Sequence, residues 1–86
     1  MIPINEYFTV RMFGNEFIFV AEENGEIYVT IVNAEYPSGN GGYILPNGER
    51  EPEYNSNCVH CNDAKTFNTA CLNWLDKYNE KFGSNN

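Results

Sequence analysis

Two cysteines, Cys58 and Cys61, stand two residues apart just ahead of a predicted helix. Thiolates at this spacing can bind a tetrahedral zinc ion, and a helix N-terminus can lower a thiol pKa for redox work. A closed zinc site needs two further ligands, and the chain has no second Cys-x-x-C pair. His60 lies between the cysteines, so we expect its ring to point away from a metal that both would bind.

Three interpretations of this segment remain open from the sequence: a zinc site shared across a dimer, a redox pair, and an ordinary turn. Thioredoxin-type pairs follow a strand in a βαβ unit, whereas this pair follows a loop rich in proline and asparagine. Cys71 falls on the apolar stripe of the predicted helix, where a free cysteine behaves as a small hydrophobic residue. We expect an ordinary turn and no cofactor, with a metal site at Cys58 and Cys61 as the alternative.

No other group of residues predicts an active site. His60 is the single histidine, so nucleophilic catalysis would have to pair it with a cysteine beside it, with Asp63 as the nearest orienting carboxylate. The run GNGG at 39–42 is followed by neither a Lys-Ser/Thr pair nor a predicted helix, both of which a phosphate loop requires. The sequence therefore predicts a protein that is not an enzyme.

Negative charge is concentrated in the first two thirds of the chain. The formal net charge is -7, and residues 6–53 carry nine carboxylates against two arginines, whereas charges balance in 54–86. Direct binding to nucleic acid or to anionic membranes is therefore not expected. Carboxylates at predicted hairpin tips should instead steer the chain toward a basic surface of a protein partner. The predicted partner-binding residues are Glu22, Glu23, Glu26, Glu49, Glu51 and Glu53.

The first part of the chain alternates apolar and polar residues in the manner of β-strands. Asn24-Gly25 is a hairpin dipeptide, and a two-residue loop there would pair Val20 with Val29. Both faces of the resulting sheet would be apolar, and one helix can cover only one of them. The predicted strands span residues 6–13, 16–23 and 26–33.

One amphipathic helix is predicted near the end of the chain, with Trp74 in the middle of its apolar stripe and Asn62 or Asp63 as its N-cap. We therefore predict an α+β fold: an antiparallel sheet of three to five strands, followed by one C-terminal helix packed on one face. The predicted single domain comprises the sheet 6–33, an irregular or hairpin segment 34–62, the helix 63–82 and a frayed tail 83–86.

The N-terminal ten residues lack the basic and apolar regions of a secretory signal. No apolar run approaches the length of a membrane span, and an odd number of cysteines is typical of a reducing compartment. We therefore expect a cytoplasmic protein.

The short chain, the sheet, the late helix and the concentrated acidity together resemble small phage-encoded anti-defence proteins, including anti-CRISPR proteins. The resemblance covers the whole chain but rests on style, because that group shares no common motif. It implies an acidic inhibitor that mimics nucleic acid and blocks a basic nucleic-acid-binding surface of its target in a bacterial cytoplasm. The chain also resembles strand-strand-strand-helix antitoxins of the HicB type, with DAKTFNTA opening the helix. That likeness implies an antitoxin-like or structural module, dimeric through the second sheet face.

Overall fold

The structure, a computed structural model, describes residues 7–33, 35 and 38–82. Five antiparallel strands form one sheet in the order β1-β2-β3-β4-β5, and a single helix follows, so the predicted fold class is confirmed. The predicted frayed tail at 83–86 lies outside the described residues. No helix in the described part combines the length and the apolar character needed to cross a membrane. The elements are β1 Tyr7–Met12, β2 Asn15–Ala21, β3 Ile27–Asn33, β4 Gly39–Ile44, β5 Arg50–Glu51 and α1 Ala64–Phe82.

The core lies between α1 and one face of the sheet. Phe17 and Phe19 on β2 are fully buried, and alternate residues of a strand share a face, so both point toward the helix. The Trp74 ring packs edge-on against Phe19 with centroids 5.6 Å apart, and its indole N–H donates to the Glu49 carbonyl across 2.9 Å. The predicted apolar stripe of α1 is therefore confirmed, and its buried residues are Phe67, Cys71, Trp74 and Leu75.

The turn between β2 and β3 is one residue longer than predicted. Val20 pairs with Tyr28, so the predicted pairing of Val20 with Val29 is wrong. The Gly25 N–H donates to the Glu22 carbonyl across 2.9 Å, and Gly25 has a φ of 91°. These features define a three-residue loop, a type I turn followed by a left-handed glycine. The extra residue shifts the register by one, which gathers the buried residues of both strands on one face.

The segment 34–62 contains the further hairpin that the sequence suggested. β4 returns to β5 through a second three-residue loop, in which the Leu45 N–H donates to the Glu49 carbonyl across 2.9 Å and Gly48 has a φ of 90°. Pro52 directly follows β5 at the edge of the sheet, and no described strand lies beside it that would need the N–H that proline lacks.

Asp63 is the N-cap of α1. The Thr66 N–H donates to Asp63 Oδ1 across 2.8 Å, and the Asp63 N–H donates to Thr66 Oγ1 across 3.1 Å. The two residues thus satisfy each other's backbone donors, as in a capping box. The hydrogen bond from the Thr66 backbone N–H, and after it the interaction with the Thr66 side chain, lower the pKa of the Asp63 carboxyl. The helix therefore begins at a fixed point, directly after the segment that holds Cys58 and Cys61.

Candidate functional site

No described element covers the sheet face opposite α1. Tyr7 on β1 is 72% exposed and Val20 on β2 is 43% exposed, although both are large apolar side chains. A second apolar face without a covering layer is typical of an association surface. We call this surface the open face; its central side chains are Ile18, Val20, Tyr28, Thr30, Val32 and Tyr43.

Four aromatic rings follow one another across one end of the open face. Tyr28 and Tyr43 meet edge-to-face with centroids 5.1 Å apart, and Tyr43 meets Tyr54 in the same way at 6.1 Å. Tyr54 continues to His60 at 5.6 Å, and its hydroxyl forms a 2.8 Å hydrogen bond with His60 Nε2. We call these four residues the tyrosine row.

The local backbone explains why the rings meet. Tyr28 and Tyr43 are direct cross-strand partners, so their side chains leave the sheet side by side. A Cβ at Gly41 would overlap the Tyr28 ring, so the glycine leaves the space that the ring occupies. A single antiparallel bridge between Glu26 and His60 brings the loop after β5 alongside the start of β3. Three separate stretches of chain thus build one surface.

Three of the six predicted glutamates lie around Tyr43. The Tyr43 hydroxyl donates to Glu22 Oε1 across 3.4 Å, and Glu51 is its cross-strand partner on β5. Glu26 is only 6% exposed, so it is not the exposed tip residue that the sequence predicted. Burial raises the pKa of Tyr43, and the Glu22 and Glu26 carboxylates raise it further. The tyrosine row therefore lies in a negative electrostatic environment.

The other three predicted glutamates lie away from this cluster. Glu49 belongs to the helix side of the molecule, where its Oε2 lies 2.7 Å from Lys81 Nζ and its carbonyl accepts the Trp74 indole N–H. Glu23 and Glu53 are exposed, one in the β2–β3 turn and one just after β5. The six predicted glutamates therefore do not form a single surface: three surround Tyr43, Glu49 forms an ion pair on the helix side, and Glu23 and Glu53 are exposed elsewhere.

Cys58 and Cys61 are both buried in the loop between β5 and α1. The Cys61 N–H donates to the Gly25 carbonyl across 2.8 Å, and its thiol lies 3.5 Å from the same oxygen. The ring of His60 belongs to the tyrosine row instead of facing the thiols. Among the described residues, no three His, Cys, Asp or Glu side chains lie close enough together to hold a metal ion. The hydrogen bond between Cys61 and Gly25 thus attaches the loop before α1 to the β2–β3 turn.

The Cys61 and Cys71 thiols favour their protonated form. Burial raises the pKa of Cys61, and the nearby Asp63 carboxylate raises it further. Burial raises the pKa of Cys71 to about 12, with Cys61 adding to the effect. Redox catalysis requires a thiolate, so the raised pKa of Cys61 opposes the redox alternative at this residue. Cys71 is fully buried in the core, as predicted for a small hydrophobic residue.

Stability is expected to fall as the pH rises above the ordinary pKa of Cys71. The unfolded chain should ionise near 9.0, whereas the folded chain holds this proton until a pKa of about 12. In between, the folded state binds more protons, so rising pH lowers the unfolding free energy by up to about 1.4 kcal/mol per pH unit. Urea unfolding from about pH 8 to about pH 11 should show a shallower decline for Cys71→Ala than for the wild type. Equal declines would contradict this role of the thiol.

The tyrosine row was not selected from the sequence. Tyr28 and Tyr43 occupy strand positions, but only the correct register places them side by side, and Tyr54 and His60 reach them through a loop. Aromatic faces with adjacent carboxylates are suited to binding cations.

No family model matches the chain, and neither a curated protein nor a solved structure matches it.

Proposed function

We propose that this chain is a non-enzymatic protein-binding module that accepts a basic surface of a partner protein on its open face. The observation behind this proposal is the tyrosine row with Glu22, Glu26 and Glu51 around it. A cation over a tyrosine face contributes about 0.5–2 kcal/mol, depending on how far it is desolvated. A docked cation would also offset the negative charge that Glu22 and Glu26 place beside Tyr43.

Arginine is the side chain that suits this surface best. Its planar guanidinium can stack on an aromatic ring and donate two parallel hydrogen bonds to a carboxylate. Glu22 lies at the Tyr43 hydroxyl and Glu51 is the cross-strand partner of Tyr43, so an arginine docked at this ring would have two carboxylates nearby. A lysine ammonium would be attracted by the carboxylates but could not donate two parallel hydrogen bonds to one of them.

The narrower form of the proposal is an inhibitor that blocks a basic nucleic-acid-binding surface of its target, in the manner of anti-defence proteins. The net charge of -7 supports it, since the excess carboxylates belong to the part of the chain that builds the sheet. A groove that binds phosphates offers arginine and lysine at close spacing, which carboxylates can occupy in place of the nucleic acid.

A homodimer through the open face is the second candidate, because Val20 is exposed there at 43%. A symmetric contact of this kind would bring the carboxylates around Tyr43 of both copies into one interface. Like charges that face each other across an interface are unfavourable, so a basic partner fits this surface better than a second copy does.

An arginine-rich peptide is the probe for the proposed function, with binding followed by fluorescence anisotropy. The double variant Glu22→Gln/Glu51→Gln should bind the peptide about tenfold more weakly, since a charge pair at the protein surface contributes up to about 1 kcal/mol. The matched control Asp76→Asn/Glu80→Gln removes the same net charge from the exposed side of α1 and should bind like the wild type. Binding should weaken with salt, because the Debye length falls from about 10 Å at 0.1 M to about 3 Å at 1 M. Equal losses in both variants would show that only net charge matters and would contradict the proposed site.

A further inference from the structure

β1 is an edge strand of the sheet, with β2 on one side and no described strand on the other. A free edge presents unpaired backbone N–H and C=O groups, which another strand can complement. The six residues of β1 include no proline and no carboxylate, and Arg11 is its only charge. Among the described residues, this edge therefore lacks the proline and lysine that proteins use to block strand pairing.

The turn after β1 determines which backbone groups point outward. Phe13 has a φ of 55° and Gly14 a φ of 75°, and Met12 pairs with Asn15, which together define a two-residue hairpin of type I′. The residues that flank such a turn exchange both backbone hydrogen bonds. Met12 therefore directs its N–H and C=O toward β2, and the direction alternates from there along the strand.

Alternation then directs the backbone groups of Val10 toward β2 and those of Thr9 and Arg11 toward the free edge. The hydrogen bonding between β2 and β3 is consistent with this assignment. The Glu22 N–H donates to the Glu26 carbonyl across 2.8 Å, so even-numbered residues of β2 bond toward β3, which leaves its odd-numbered residues for β1. Thr9 thus offers an unused N–H and C=O to an incoming strand.

The core is also incomplete at this edge. Phe8, Val10 and Met12 lie on the helix side of β1 and pack against the core, but each is only partly buried. Their counterparts on β2, such as Phe17 and Phe19, are fully buried. A further strand beside β1 would extend the buried layer over these three side chains.

We propose that two copies of this chain pair antiparallel through β1 about a two-fold axis at Val10. In that register Val10 meets its own equivalent and Phe8 lies beside Met12 of the other copy, so the partly buried row continues across the junction. Arg11 lies opposite Thr9 of the other copy, so no like charges face each other directly. A second copy is the occupant because the apolar row is complementary to itself and β1 is free of the carboxylates that would repel an equally acidic chain.

The proposal is independent of the basic partner, since the pairing uses the edge of the sheet and leaves the open face free. Two copies joined in this way place their open faces on the same side of one continuous sheet. Salt should strengthen this dimer by screening the net charge of -7 on each chain, whereas it should weaken the binding of a basic partner.

Sedimentation velocity of the wild type and of Thr9→Pro tests the proposal. Proline is tolerated on an edge strand where the N–H faces solvent, so Thr9→Pro should keep the fold by circular dichroism and sediment as a monomer. Val10→Pro removes an N–H directed at β2 and should lower the melting temperature, which checks the assignment of inward and outward groups. Val10→Lys, which places two ammonium groups at the two-fold axis, is a second variant that should abolish the dimer. A wild type that stays monomeric at high salt, or a folded variant that still dimerises, would overturn the proposal.

Discussion

Replacement of Trp74 by alanine is expected to lower the unfolding free energy by about 3–5 kcal/mol, the range for a large aromatic residue removed from a core. The indole is 1% exposed and contacts Phe17 and Phe19 edge-on, with centroids 6.3 Å and 5.6 Å away. Its N–H also holds the Glu49 carbonyl, which the alanine variant would leave without this donor. Since small domains have about 5–15 kcal/mol in total, the variant should be largely unfolded at elevated temperature.

Two controls separate this packing role from general effects on the helix. Leu72→Ala changes a side chain of α1 that is 51% exposed and should leave the melting temperature almost unchanged. Trp74→Phe retains an aromatic ring but lacks the indole N–H. The decrease in its melting temperature should therefore fall between the decreases of Trp74→Ala and Leu72→Ala. Thermal unfolding followed by circular dichroism gives the comparison. A Trp74→Ala protein that melts close to the wild type would contradict the assigned core.

Gly25→Ala is expected to be strongly destabilising for the addition of a single methyl group. Gly25 has a φ of 91°, which other residues adopt only with strain, and a Cβ there would overlap the backbone carbonyl of Cys61. The carbonyl of Gly25 accepts the Cys61 N–H, so displacement of that segment also breaks the bond that fastens it to the turn. We expect a loss of more than about 2 kcal/mol, and weakened peptide binding because His60 would move with the segment.

Gly14→Ala is the matched control for this prediction. Gly14 also has a left-handed φ, 75°, but a Cβ there would have no neighbour within 4 Å. The substitution should therefore cost only the backbone strain, about 1–2 kcal/mol, and should leave the open face intact. Urea unfolding of both variants measures the difference. If Gly25→Ala lowers the unfolding free energy no more than Gly14→Ala does, the contact between the β2–β3 turn and Cys61 does not stabilise the loop.

The elements of this fold follow from local patterns, but the pairing of the strands does not. The alternation in β2 and β3 and the helical spacing around Trp74 are set by which side chains must be buried, and the sequence shows both. The Asn24-Gly25 dipeptide suits a two-residue loop as well as the observed three-residue loop, since a glycine supplies the left-handed residue in either. The choice between them depends on burial across the whole sheet, which a local pattern does not contain.

The candidate site was harder to predict because its residues are distant in sequence. Glu22 and Glu26 were selected for their charge, but their position beside Tyr43 depends on the register of β3 and β4. His60 was considered only as a companion of the cysteines, whereas the bridge to Glu26 turns it toward Tyr54. The prediction that the Cys-x-x-C segment is an ordinary turn stays a prediction; the structure shows that both thiols are buried in a loop.

The central claim, that the open face receives a basic partner at the tyrosine row, is tested most directly by mapping the contact. Backbone and ring NMR signals of the labelled protein would be followed while an arginine-rich peptide is added. We expect the largest shifts at Tyr28, Tyr43, Tyr54 and His60, with the exposed side of α1 unchanged. Shifts centred on the outer surface of α1, or spread evenly over all carboxylates, would contradict the claim.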